Sequence, residues 1–183
     1  MEGALNFLRK ALKLKGVKRR GWVKAGVRSP ESVADHTYGL ALLSMVVGDL
    51  EGLNVEKLLR LALIHDLEEA VVGDLTPEEK EGIPGLRGLE EGAVRRLLSS
   101  LPEGLKRRYY ELWIEYRDGS SREAKLVKQL DRAEMLLQAL IYELGGLDPK
   151  KLQGFWGPAK GGLEGGAERL LRALEEARGL KRS

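Results

Sequence analysis

The sequence holds two histidines, and one of them, His65, stands beside Asp66 inside an otherwise apolar run, LLRLALIHDLEEAVVGD (residues 58–74). An imidazole and a carboxylate there must be hydrogen-bonded, ion-paired or bound to a cation, because burying a polar group without a partner is costly. The second histidine, His36, falls in another apolar segment, and Asp131 falls in a third. Four ligand-type side chains on three buried helices point to one metal ion. A lone buried His is more often a hydrogen-bonded core residue; both histidines together, one with an adjacent Asp, reverse that balance. A His₂Asp₂ set suits Mn, Fe, Co, Ni or Zn rather than Cu(I). It has the form of a catalytic site if water or substrate fills the remaining positions.

Glu69 follows His65 by four residues, so on a continuous helix it stands on the same face about 6 Å further along. Asp74 follows Gly73, where that helix should end. Neither is needed to saturate the metal, which leaves both free for proton transfer. The plainer alternatives are a solvated face for Glu69, as expected for its neighbour Glu68, and a turn or capping role for Asp74.

The elements that must position these groups read at the helical period throughout, and no stretch alternates as a strand. A first helix is expected over residues 3–14, stopping at Gly16, and Pro30-Glu31 opens a second over 31–50. Asn54 caps a third helix of about 18 residues, apolar nearly all round and therefore central. The turn-rich GDLTPEEKEGIPG (73–85) should be a surface loop. Further helices are expected over 86–100, from Pro102 to Arg117, over 121–144 and, briefly, from Asp148-Pro149. A Gly-rich linker (154–166) then leads to a last helix at 167–178, with 154–183 peripheral to one all-α domain spanning 1–183.

Composition narrows the class. With 183 residues, 43% hydrophobic and 32% charged, the chain suits one globular domain, and no run of 18 apolar residues is present to span a membrane. The N-terminal stretch reads as an amphipathic helix rather than a signal peptide. Zero cysteines exclude thiolate ligands and fit a reducing, cytoplasmic setting. Two Asn and three Gln beside abundant Glu, Arg and Lys resemble a thermophile's usage. The net charge of +3 is interspersed, so the basic run Lys18-Arg19-Arg20 favours a small phosphorylated ligand over nucleic acid.

The order His36 … His65-Asp66 … Asp131 resembles the HD-domain metal-dependent phosphohydrolases. Three blocks, RRGWVKAGVRSPESVADHTYGLAL (19–42), LALIHDLEEAVVGDLTP (61–77) and YELWIEYRDGSSREAKLVKQLDRAEMLLQA (110–139), resemble the branch acting as 5′-deoxynucleotidases. The likeness covers roughly residues 3–160. It implies metal ligands at His36, His65, Asp66 and Asp131. It implies that Glu69 positions or deprotonates the attacking water and that Asp74 acts near the leaving nucleoside oxygen. An arginine before Trp22 should bind phosphate and shape the sugar pocket; it is Arg19 or Arg20, and the RxGW spacing favours Arg19. Thr76, Pro77 and Lys80 fall in a substrate-contacting segment. Trp22 reads either as a pocket wall or as a packing plug.

The resemblance thus implies hydrolysis of nucleoside 5′-monophosphates to nucleoside and phosphate, with 2′-deoxy sugars preferred. One divalent ion supports it by lowering the pKa of bound water from 15.7 toward roughly 7. The expected partner is a small nucleotide, with no nucleic acid and no membrane, and the chain should form a homodimer. The helix of Tyr109, Tyr110, Trp113 and Tyr116 offers either a dimer face or core. Low base selectivity is expected, since no second aromatic cluster lies near the motifs. Lys128 could orient Asp131, touch phosphate or be exposed, and Asp35 reads as a supporting or surface group. Two alternatives compete. Hydrolysis of ppGpp is weakened because Ala70, not an acid, follows Glu69, and a metal-stabilised helical scaffold would have no turnover to lose on Glu69→Gln.

Overall fold

Each segment that reads at the helical period forms a helix in the computed structural model, which describes residues 1–159 and 161–180. Helix α1 (Glu2–Ala11) tightens into a 3₁₀ turn (Leu12–Gly16), and a short α2 (Arg20–Lys24) follows in what the sequence presents as loop. A single pair of extended residues, Lys18 and Ser32, bridges the two ends of that loop, and no strand occurs among the described residues. Helix α3 (Val33–Glu51) begins on a reciprocal cap: Ser32 Oγ accepts from the Asp35 amide, and the Ser32 amide donates to Asp35 Oδ2 at 2.7 Å. Such a cap contributes about 1 kcal/mol, and it accounts for Asp35.

The single 18-residue helix expected after Asn54 is broken in two: α4 (Val55–Ile64) and α5 (Glu69–Val72). The Ala62 carbonyl, which a continuing helix would offer to the Asp66 amide, accepts from His65 Nδ1 at 2.7 Å. The amides of Leu67, Glu69 and Ala70 then bond three residues back, to Ile64, Asp66 and Leu67. The metal-type residues therefore lie in a tightened turn, a geometry common at functional sites. Gly73, at φ 80° and ψ 166°, ends α5 in a region only glycine occupies comfortably. Inside the expected surface loop 73–85, α6 (Pro77–Glu81) forms on a capping box between Thr76 and Glu79.

Helices α7 (Leu86–Leu98), α8 (Glu103–Asp118) and α9 (Arg122–Leu144) follow the expected spans closely. Helix α9 is the spine: it packs on α3, α4 and α8, and it buries Leu126, Val127, Leu130, Leu136 and Leu140. Each such side chain contributes about 1.5–3 kcal/mol of transfer free energy.

The C-terminal segment is not peripheral. Helix α10 (Pro149–Ala159) runs through part of the expected linker, and both it and α11 (Gly165–Leu180) pack on α9. Leu152, Trp156, Leu163, Ala167, Leu171 and Leu174 are buried in the main core. Within the segment expected at the periphery, Lys160 and residues 181–183 lie outside the described residues. No helix among the described residues is long and apolar enough to cross a membrane.

Candidate metal centre

His36 from α3, His65 and Asp66 from the turn after α4, and Asp131 from α9 meet at one point. His36, His65 and Asp131 each present a ligand atom within 4.8 Å of the others. His65 Nε2 lies 2.8 Å from Asp66 Oδ2, and His36 Nε2 lies 3.1 Å from Asp131 Oδ1. The two Nε2 atoms are 3.3 Å apart.

The hydrogen inventory of this cluster is informative. The Ala62 carbonyl can only accept, so His65 Nδ1 carries a hydrogen. His36 Nδ1 faces Glu134 Oε2 at 2.5 Å, and an ionised carboxylate there accepts from an Nδ1–H. Two neutral imidazoles fixed in this way turn both Nε2 lone pairs toward each other and toward two carboxylates. Such a set of acceptors repels itself unless positive charge stands among them. Both imidazoles have raised pKa values as a result. For His36, burial and the Arg19 charge work downward, yet Asp131 and Glu134 lift it to about 10. For His65, burial works downward, and Asp66 together with Asp131 carries the pKa above its usual value. A field that retains protons so firmly is equally suited to a divalent cation, and the all N/O donor set is that of a borderline-hard ion.

Asp131 is held from behind, its Oδ2 accepting from the Tyr116 hydroxyl at 3.0 Å. Burial opposes its ionised form, but His36 and His65, when protonated, prevail and keep its pKa well below the carboxylate range. Glu69 is buried, with Oε2 lacking any partner. Burial first, then the Asp66 and Asp74 charges, raise its pKa to about 10. Glu68 is not solvated as expected: it is buried and accepts from the Trp113 indole at 2.7 Å.

A cleft of about 380 Å³ opens over the cluster, lined by Arg19, Trp22, Asp66, Glu69, Asp74, Thr76, Pro77, Lys80 and Asp131 among others. That volume lies in the range of small-molecule sites. The two candidate arginines diverge. Arg19 turns inward, 3.7 Å from Asp66 and 3.9 Å from Asp74, whereas the Arg20 side chain bonds Glu79 on the surface at 2.6 Å. The Arg20 amide, at the start of α2, donates to Asp74. Asp74 is thus no cap of α6; Thr76 is, and the Thr76 hydroxyl also accepts from Lys24 Nζ at 2.8 Å. Lys80 is exposed at the rim; burial lowers its pKa, but Asp66 and Glu69 hold it above the usual lysine value.

Trp22 is both wall and plug: it lines the cleft, is 1% exposed, and its indole donates to Glu31 at 2.8 Å. Phe155 of α10 packs on it with ring centroids 4.3 Å apart and lines the cleft with Met135. A second aromatic therefore does reach the site, from the segment read as linker. Lys128 donates to the Arg117 carbonyl at 2.8 Å and is not part of the cleft wall. Trp113 and Tyr116 face inward, to Glu68 and Asp131, so they serve the core rather than a dimer face.

Sequence reasoning missed Glu134, Tyr116, Glu31, Phe155 and Lys24. Only Glu134 carried a readable signal, standing three residues after Asp131 on the same face of α9.

The comparisons agree with this geometry. Residues 11–170 match the HD domain family model. The chain is 45% identical over 159 residues to the 5′-deoxynucleotidase HDDC2 of Mus musculus, covering 87% of this chain and 79% of that protein. Identity to the Homo sapiens 5′-deoxynucleotidase HDDC2 is also 45%, over 86% of this chain and 76% of that one. A solved structure of a Pyrococcus horikoshii OT3 protein superposes with a TM-score of 0.79 at 32% identity, over 94% of this chain and 99% of the other. By match and by architecture, this chain belongs to the HD-domain family.

Proposed function

We propose that this chain is a metal-dependent hydrolase that removes the 5′-phosphate from nucleoside 5′-monophosphates, with 2′-deoxy sugars preferred. The observation that carries the reading is the convergence of four acceptor groups, His36, His65, Asp66 and Asp131, beneath a cleft that also presents two cations, Arg19 and Lys80. The relatives named 5′-deoxynucleotidase support the substrate class.

In this reading the four residues hold one divalent ion: Mn, Fe, Co, Ni or Zn. When bound, it supplies Lewis-acid polarisation of water and of a phosphoryl oxygen. Arg19 and Lys80 neutralise the phosphate dianion at the cleft side of the cluster. The partnerless oxygen of Glu69 is placed to hold the attacking water and to exchange a proton with it. Asp74, tethered through the Arg20 amide, stands near the leaving sugar oxygen and passes to it a proton drawn from solvent, while Glu69 keeps the proton lost by the water. Trp22 and Phe155 close the sugar side, and Thr76 and Pro77 complete the lining of the cleft.

The same proposal includes a homodimer in the cytoplasm. It is supported by an exposed apolar stripe on α3 (Tyr38, Leu42, Val46 and Leu50) with Leu8 and Leu12 at the N-terminus, together with the absence of cysteine. Light scattering on Leu42→Glu should show a monomer if that stripe is the interface, and an unchanged mass would exclude it. The functional test is phosphate release by metal-stripped protein reconstituted with each ion, using dAMP, AMP, dTMP and ppGpp. Release from the monophosphates is expected, fastest from dAMP and dTMP. Turnover of ppGpp alone, or no turnover at all, would overturn the reading.

A further inference from the structure

His36 is gripped from the side opposite the cluster. Glu134 stands three residues after Asp131 on α9, is 4% exposed, and meets His36 Nδ1 with Oε2 at 2.5 Å. Its carboxylate is pressed against α3 at the point where α3 has no side chain. A Cβ on Gly39 would lie 2.5 Å from Glu134 Oε1 and 3.1 Å from Cδ. Gly39 is three residues after His36, so the imidazole and the gap that admits its partner share one face of one helix. Glu31 closes the third side: Glu31, His36 and Glu134 each present an atom within 4.8 Å of the others. Two separate hydrogen bonds, His36 with Glu134 and Trp22 with Glu31, already engage these groups, so the cluster is not read as a second cation site.

We propose that Glu134 is a positioning residue that fixes His36 as the Nδ1–H tautomer with Nε2 aimed at the ion, and that Gly39 is the gap that lets it do so. The inference rests on His36 being a metal ligand. Its physical basis is general. Either ring nitrogen of an imidazole can ligate a metal, and the hydrogen bond made by one sets which the metal meets. A carboxylate partner also makes the ligand more basic. His65 is fixed by a neutral carbonyl and His36 by a carboxylate, so the two histidines are not equivalent, and His36 should be the stronger ligand.

The chain has two histidines, so its imidazole ¹⁵N spectrum contains two spin systems. Adding Zn²⁺ to labelled protein should shift Nε2 of both and leave both Nδ1 atoms protonated. Chelator competition should then show Zn²⁺ bound roughly 10- to 100-fold more weakly by Glu134→Ala. Glu134→Gln, which retains an acceptor without the charge, should fall between that variant and the parent. Gly39→Ala should weaken Zn²⁺ as Glu134→Ala does, although it removes no carboxylate and alanine raises helix propensity. A loss there with unchanged helicity by circular dichroism is not explained by a damaged α3. Zn²⁺ affinity within about twofold of the parent in both Glu134→Ala and Gly39→Ala would overturn the proposal, as would His36 binding zinc through Nδ1. If neither imidazole of the parent protein responds to Zn²⁺, the metal reading itself falls and takes this one with it, an outcome visible before any variant is made.

Discussion

Replacing Arg19 and Arg20 by alanine in turn separates the two adjacent arginines, because their side chains go to different places. Arg19 lies between Asp66 and Asp74 at 3.7 and 3.9 Å, with its side chain 17% exposed; the Arg20 side chain is 55% exposed on Glu79. A unit charge about 4 Å from a phosphate charge interacts by about 4 kcal/mol at an effective dielectric near 20. Residual exposure and the remaining Lys80 reduce that, while Asp66 and Asp74, left less neutralised, add repulsion toward the dianion. The balance is about 3–4 kcal/mol, or roughly 10²- to 10³-fold in kcat/KM. Arg19→Ala should lose that much in a phosphate-release assay at saturating metal. Arg19→Lys, which retains charge but not the planar fork, should fall between. Arg20→Ala keeps the backbone amide that holds Asp74 and should change kcat/KM by no more than about threefold, as expected for an exposed ion pair. Metal affinity should move the other way, unchanged or tighter in Arg19→Ala, since a cation beside Asp66 has been removed. Equal losses in the two alanine variants, or a loss in Arg19→Ala traced wholly to weaker metal binding, would refute the reasoning.

Glu69→Gln should retain metal and helicity while kcat falls by roughly 10²-fold or more, and retained turnover would remove Glu69 from the proton-transfer path. Gly73→Ala forces a side chain into a backbone region reserved for glycine, at about 1–3 kcal/mol. Its melting temperature should drop by about 2–4 °C per kcal/mol for a chain of this size, and activity should fall further as Asp74 is displaced. Outside the cleft lining, the Tyr110 hydroxyl, then Arg95 and Arg117, hold the pKa of Glu91 down at about 2. A carboxylate depressed in the folded state stabilises it above the unfolded value of 4.5 and loses that contribution as pH falls through about 2. Urea melts across that window should therefore be flatter for Glu91→Gln than for the parent, and parallel curves would contradict the assignment.

Much of the architecture was legible because helices such as α9 carry a long apolar stripe at a fixed period, and periodicity survives in a sequence. The break after Ile64 was not. LLRLALIHDLEEAVV is continuous in hydrophobicity, and the break depends on one side chain, His65, taking a carbonyl that the helix would otherwise use. Glu68 read as solvated because its partner, Trp113, comes from α8, 45 residues away. Gly154 and Gly157 made α10 look like linker, yet burial of Leu152 and Trp156 against α9 overrides their low helix propensity. At the site, ligand-type residues announce themselves by chemistry in the wrong surroundings. Glu31, Tyr116 and Phe155, which hold or enclose those residues, are ordinary side chains whose roles exist only once α8, α9 and α10 have docked.

The most direct test of the central claim is an anomalous difference map from crystals of the Mn²⁺- or Co²⁺-loaded protein. One peak bounded by His36 Nε2, His65 Nε2, Asp66 and Asp131, with ligand distances near 2.0–2.2 Å, is the predicted result. A map without a peak there, or with its ion held by other residues while those four bond only to one another, would contradict it.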